Sequence, residues 1–158
     1  MPAFPQPDEQ NLYLAEHIDL LRQSLLYYAG RDLIEPTLQG SDAAKAIYFA
    51  PFVVLSHNTA ADPIFNYGNK SALDLFEISW QELTALPSRQ SAEPPNREER
   101  AQLLQAVSSQ GFMENYAGVR ISKQGKRFLI SDVTIWNLRD DAGRYCGQAA
   151  VYSRWQYL

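Results

Sequence analysis

Ser56, His57 and Asp62 bring together the three residue types of a hydrolytic triad, and they are the first place to look for bond-breaking chemistry. If Ser56 and His57 share a strand, their side chains leave on opposite faces, so the hydroxyl and the imidazole do not meet. His57 then reads as a strand-end histidine. His17 has no histidine or cysteine at ligand spacing, which argues against a metal site. The single cysteine, Cys146, rules out an intramolecular disulfide and a multi-cysteine zinc site, and it fits a reducing compartment. Nucleotide-binding G-x-G-x-x-G and Walker patterns and the hydrolase pattern G-x-S-x-G do not occur in the sequence. The remaining chemistry is recognition: Asn66, Arg89, Arg120 and Gln148 can each orient a carboxylate or an amide. A buried arginine needs an anion, either a ligand or a neighbouring acid, and Arg89 with Glu93 is the expected internal pair. Arg97 and Arg100, flanked by Glu98 and Glu99, read as solvated surface.

These residues need a scaffold, and composition bounds it. The chain has 158 residues, 46% hydrophobic and 20% charged, which fits one compact domain with a core of its own. A net charge of −4 lacks the positive field that nucleic acid or an anionic membrane demands. The segment Met1 to Asp8 has no basic stretch, and no window approaches eighteen uninterrupted apolar residues, so a cytoplasmic protein without a membrane partner is expected. Three Trp, nine Tyr and seven Phe either fill a core or line a ligand cavity.

Along the chain, Asp8 caps an expected helix to about Tyr28, on which Leu14, Ile18, Leu21 and Leu25 form one apolar stripe before Gly30 stops it. The stripe either docks the helix on its own domain or forms a seam between two copies, and those four leucine and isoleucine side chains would make the homodimer interface. Residues 31–45 read as a loop, giving a boundary between an N-terminal helix with linker (1–45) and a core domain (46–158). Phe52 to Leu55 and Ile64 to Tyr67 read as two strands. Asn69 is placed to cap a short helix, Lys70 to Phe76, and Ser79 with Glu82 has the spacing of a capping box. Pro87 to Asn96 reads as a loop, followed by a helix from Asn96 to about Gln110. Three strands follow, Phe112 to Ser122, Arg127 to Leu138 and Arg144 to about Trp155, joined by hairpin connections. Even alternation along the second of these puts Phe128, Ile130, Trp136 and Leu138 on one face and Leu129, Val133 and Ile135 on the other.

Helices on one face of a five-stranded antiparallel sheet is the order of a PAS domain, an α+β fold. The run Asp62-Pro63-Ile64-Phe65-Asn66-Tyr67-Gly68-Asn69-Lys70-Ser71-Ala72-Leu73, then Leu75-Phe76-Glu77-Ile78-Ser79-Trp80, resembles the second strand and first core helix of the PAS-like MEKHLA family. The resemblance continues through Leu86 to Pro94, Asn96 to Arg100, Gly118 to Ser122 and Gly143 to Ala150, covering about Tyr48 to Trp155. In plants such a module is the C-terminal part of class III homeodomain-leucine zipper regulators, and this chain resembles the stand-alone microbial type. The resemblance implies a sensing or interaction module rather than DNA binding, with no assigned ligand.

Flavin-adduct signalling in light-sensing PAS domains needs a cysteine in the loop before the longer helix. That loop reads Pro87-Ser88-Arg89-Gln90-Ser91, so a covalent adduct is disfavoured. Haem is disfavoured as well, because no histidine occurs between Asn69 and Gln110 to serve as axial ligand. The expected site is a cavity between helices and sheet, with Asn66, Arg89, Tyr116, Arg120, Trp136 and Gln148 as candidate ligand-binding residues. Gly147, Ala149 and Ala150 leave room there for a small organic ligand or for Trp136, the alternative being tight packing by Trp136, Tyr116 and Phe65. The leading expectation is a non-enzymatic sensory domain. The alternatives are a protein-interaction module with a filled core, and a small enzyme resting on His57 and Asp62.

Overall fold

A computed structural model describes residues 3–158. Its first turn departs from the sequence pattern. Asp8 does act as a cap, in a reciprocal box with Asn11, but the residues that follow form a 3-10 segment, Glu9–Leu14. Leu12, Tyr13 and Leu14 all adopt left-handed backbone, and the α-helix begins only at Ala15. This kink turns Tyr13 inward against Tyr48 and Phe49, burial that a straight helix from Asp8 would forgo. Helix α1 (Ala15–Ala29) then stops at Gly30 in the left-handed conformation, as its position predicts.

The stretch from Arg31 to Lys45 is a loop only in its first half, because α2 (Gly40–Tyr48) occupies the rest. Ala43, Ala44 and Ile47 are fully buried, and α2 packs on α1 and the 3-10 segment. Strands β1 (Val53–His57) and β2 (Phe65–Gly68) follow, then α3 (Lys70–Phe76) capped by Asn69 and α4 (Trp80–Leu83) with the expected Ser79–Glu82 capping box. After a 3-10 turn, Ser88–Ser91, α5 runs over Pro94–Gln110. It starts two residues earlier than expected because prolines fit the first turn of a helix, where their missing N–H has no partner to lose.

The remainder is strand: β3 (Phe112–Ile121), β4 (Arg127–Arg139), β5 (Tyr145–Tyr152) and a short β6 (Arg154–Tyr157) split from β5 at Ser153. The sheet is antiparallel throughout, in the order β2-β1-β5-β4-β3, with β6 extending β5's place beside the first half of β4. The expected α+β fold is present.

The face assignment on β4 needs correcting. Asp132 has φ of 53°, a break in the pleat, and the pairing of β3 with β4 is irregular around Tyr116. Across that break the alternation slips by one, so Phe128 and Ile130 share a face with Val133 and Ile135. Phe128 meets Phe76 of α3, and Ile130, Val133 and Ile135 line a common cavity with Phe76. Trp136 lies on the opposite face, under α1, where its indole Nε1 donates to the Leu21 carbonyl at 3.1 Å.

Helices thus cover both faces of the sheet, α3 and α5 on one and α1 on the other. Ile18, Leu21 and Leu25 are at most 1% exposed and Leu14 is half-buried. Of the two readings of the stripe, docking on its own domain or a seam between two copies, the burial within the chain fits the first. Residues from the 1–45 span therefore contribute directly to the core, further secured by a two-pronged pair of Arg22 with Asp32, both bonds 2.9 Å.

Candidate functional site

A cavity opens between the sheet and α5. Leu55, Phe65, Phe76, Leu104, Ile130, Val133 and Ile135 form apolar walls, and polar residues line it as well, among them His57, Arg100, Tyr116, Arg120 and Gln148. The Tyr152 ring also lines it. Its free volume is about 60 Å³, well below the roughly 300–1,000 Å³ of pockets that engulf drug-sized ligands. A body of a few heavy atoms fits this conformation. An isoalloxazine ring system does not, and Cys146 sits outside the cavity with its thiol directed to the Arg144 carbonyl.

The positive end of the cavity is built by β3 and α5. Tyr116, Gly118 and Arg120 follow one another at strand spacing. A Cβ at Gly118 would overlap the Tyr116 hydroxyl, so only glycine lets that ring fold over the strand to reach Arg120. The Arg120 guanidinium donates from Nη2 to the Tyr116 hydroxyl (3.3 Å) and from Nη1 to the Val119 carbonyl (2.9 Å), while that hydroxyl donates to Glu99 (3.1 Å). Arg100 enters from α5. It is 8% exposed and, among the described residues, has neither an acid within ion-pair distance nor a hydrogen-bond partner. Burial, together with the Arg120 charge nearby, pulls its guanidinium down to about 9. The expectation that Arg100 is solvated surface is therefore wrong. Its helical spacing with Leu103, Leu104 and Val107 is the signal that could have found it, since it shares their inward face.

The other end is neutral. Gln148 Nε2 lies 3.0 Å from each of the Leu104 carbonyl, the Ser108 hydroxyl and Asn137 Oδ1 and shares its two N–H groups among them, which fastens α5 to the sheet. His57 places Nδ1 2.9 Å from the Asn58 carbonyl and Nε2 3.3 Å from Gln148 Oε1. Burial lowers its proton affinity and keeps the ring neutral, so it has one N–H, which the shorter contact assigns to Nδ1.

Of the six residues expected at the site, Tyr116, Arg120 and Gln148 line the cavity, although Gln148 is engaged in holding α5. Trp136 faces α1 and does not line it, a consequence of the slip at Asp132. Arg89 is exposed and pairs with Asp62 at 3.1 Å rather than with Glu93, which instead pairs with Arg127 at 2.7 Å. Asn66 lies at a bulge and accepts from the Ser56 hydroxyl at 2.6 Å, on the α1 side. Gly147 serves a close crossing instead of leaving space: it has φ of 125°, and a Cβ would collide with the His57 carbonyl.

Ser56 does meet a histidine, but it is His17 of α1, with Nε2 2.9 Å from the hydroxyl. Because Ser56 donates to Asn66, it accepts from His17, the reverse of what a nucleophilic serine needs. Burial lowers His17 to about 4. Above pH 6.5 both folded and unfolded chains hold it neutral; as pH falls toward 4 only the unfolded chain takes up a proton, so stability is lost across that window. The expected loss attributable to His17 between pH 7.5 and 4.5 is about 3 kcal/mol by urea unfolding. A His17→Gln chain should lack that part of the slope, and an unchanged acid slope would contradict a buried neutral ring.

With this geometry in place, the kind of protein can be stated. Similar solved structures include a PAS domain from Colwellia psychrerythraea, with a TM-score of 0.61 and 16% identity over 73% of this chain and 93% of that one. An RNA-binding Light-Oxygen-Voltage receptor gives 0.61 and 18% over 75% of this chain and 34% of that one. The light-state dimer of the fungal photoreceptor Vivid gives 0.57 and 15% over 84% and 90%. The fold is that of a PAS domain. The model of the MEKHLA domain matches residues 15–157, and the chain belongs to that family.

Curated relatives include the homeobox-leucine zipper proteins ATHB-14 of Arabidopsis thaliana, 26% identical over 104 residues, and HOX29 of Oryza sativa subsp. indica, 23% over 141. The matches cover 65% and 86% of this chain but only 12% and 16% of those proteins, so the chain spans a small part of their length. No helix among the described residues is long and apolar enough to cross a membrane.

Proposed function

We propose that the chain is a non-enzymatic sensory domain that binds a small molecule between α5 and the sheet and signals by a change of shape. The observation that carries this reading is the buried Arg100, a charge lodged in a cavity with no acid within ion-pair distance among the described residues. Burying an unpaired charge is destabilising, and a purely structural core has a cheaper solution in any apolar side chain of that size. Ligand occupancy would draw α5 and β3 together from opposite walls. The sheet carries that adjustment to α1 through Trp136, and thereby to any partner or second copy that reads α1.

The small volume favours a second reading, an interaction module whose core is essentially filled. Native mass spectrometry of freshly purified protein, with an absorption spectrum, separates the two. A small organic adduct supports sensing. A bare chain, with hydrogen exchange of residues 8–30 unmoved by any added metabolite, supports the interaction module and removes the switch.

A further inference from the structure

Three features of the cavity bear on what it would hold, and they are independent of one another. The first is charge: Arg100 and Arg120 come from different elements, α5 and β3, and converge on one small space with no acid within ion-pair distance of either among the described residues. The second is an idle donor. The Tyr152 hydroxyl is buried in the cavity wall and has no hydrogen-bond partner among the described residues, although a buried phenol normally finds one. The third is the wall chemistry, which apart from the arginines, the neutral His57 and Gln148 and two serines is aliphatic and aromatic. The net charge of −4 gives no hint of this local positive pole.

We infer that the cavity takes a short-chain organic carboxylate, its carboxylate held by Arg100, Arg120 and the Tyr152 hydroxyl and its apolar body against Phe65, Phe76 and Ile130. This deepens the sensory reading and rests on it. Guanidinium groups match carboxylate oxygens in geometry as well as charge, and two of them around one anion supply several charge-assisted hydrogen bonds at once. A phosphate would satisfy the arginines equally but would press a strongly hydrated group on the apolar walls. The free volume of about 60 Å³ restricts the body to a few carbon atoms. Arg120 keeps its bonds to Tyr116 and Val119 and so is already oriented, whereas Arg100 is free to close on the ligand.

The test is calorimetric titration with propionate and pyruvate, with propionamide as the neutral match in shape and with inorganic phosphate, all at ionic strength held constant by sodium chloride. Propionate or pyruvate is expected to bind saturably at one site, and propionamide and phosphate far more weakly. Arg100→Met should weaken the acid by roughly ten- to hundredfold, the cost of one charge-assisted partner. In acid-free buffer the same variant should melt no lower than the parent, because the uncompensated charge is gone. Tyr152→Phe, which removes a hydroxyl without a partner, should leave melting unchanged and still weaken the acid severalfold.

Equal binding of propionate and propionamide, or acid binding unaltered in both variants, would overturn the carboxylate assignment. So would phosphate binding without propionate. If a different molecule co-purifies in the cavity while no acid binds, this inference falls and the sensory reading stands. If nothing co-purifies and none of the four probes binds, both fall.

Discussion

Asn69→Ala is expected to lose about 5 kcal/mol by urea unfolding, at least a third of the margin of about 5–15 kcal/mol of a typical domain. The cap alone would account for about 1 kcal/mol. The larger part comes from three further bonds. Asn69 is fully buried, and its Oδ1 accepts from the Val54 and Ala72 amides, both at 3.1 Å, while Nδ2 donates to the Ile47 and Phe52 carbonyls at 3.0 and 2.8 Å. One amide therefore joins the end of α2, the start of β1 and the first turn of α3. Alanine would leave buried backbone groups without partners, at about 1–3 kcal/mol each. Asn69→Asp keeps the acceptor half but points negative oxygen at two carbonyls, so it should also destabilise strongly. A loss near 1 kcal/mol for Asn69→Ala would mean that the side chain is an ordinary cap and that the three elements are held together otherwise.

Trp136→Ala should cost about 3–5 kcal/mol, as for other fully buried tryptophans truncated in a core. Trp136 is 0% exposed and pairs across the sheet with Phe112 on one side and with Ala149 on the other. Its indole N–H also ties the sheet to α1, so the loss should be accompanied by faster hydrogen exchange over Ala15–Ala29. Trp136→Phe, which keeps apolar mass but not the donor, should lose about 1–2 kcal/mol. If exchange in α1 stayed as protected in Trp136→Ala as in the parent, the helix would be anchored by its apolar stripe and its His17–Ser56 and Ser24–Arg139 bonds, and Trp136 would have no part in coupling it to the sheet.

What could be read from the sequence divides along the range of the interactions involved. Caps at Asn69 and Ser79, the glycine stop at Gly30 and the hairpins of the last three strands depend on a few adjacent residues, so a short stretch of sequence is enough to read them. The faces of β4 were misassigned because a single left-handed residue, Asp132, resets the alternation, and aspartate in a strand announces no such break. The start of α5 was misplaced because Pro94 and Pro95 look like loop residues yet suit a first helical turn.

The site was half legible. Tyr116 and Arg120 follow from strand spacing, whereas Arg89 was assigned to the wrong acid because Asp62, its partner, is distant in sequence. Arg100 was masked by Glu98 and Glu99 beside it. Its inward position shows only when its register with Leu103 and Val107 is given more weight than its charged neighbours. Tyr152 carried no sequence signal, since an unpartnered hydroxyl is a property of the packed state.

The claim on which the functional account rests is that the two buried arginines are present for an anion from outside the chain. A crystal structure of the protein as purified, grown without added phosphate, sulfate or carboxylate buffers, tests it most directly. The account predicts density for a compact anion bridging the guanidinium groups of Arg100 and Arg120 beside the Tyr152 hydroxyl. A Glu99 carboxylate swung in to pair with Arg100, or an Arg100 side chain turned out to solvent, would contradict it.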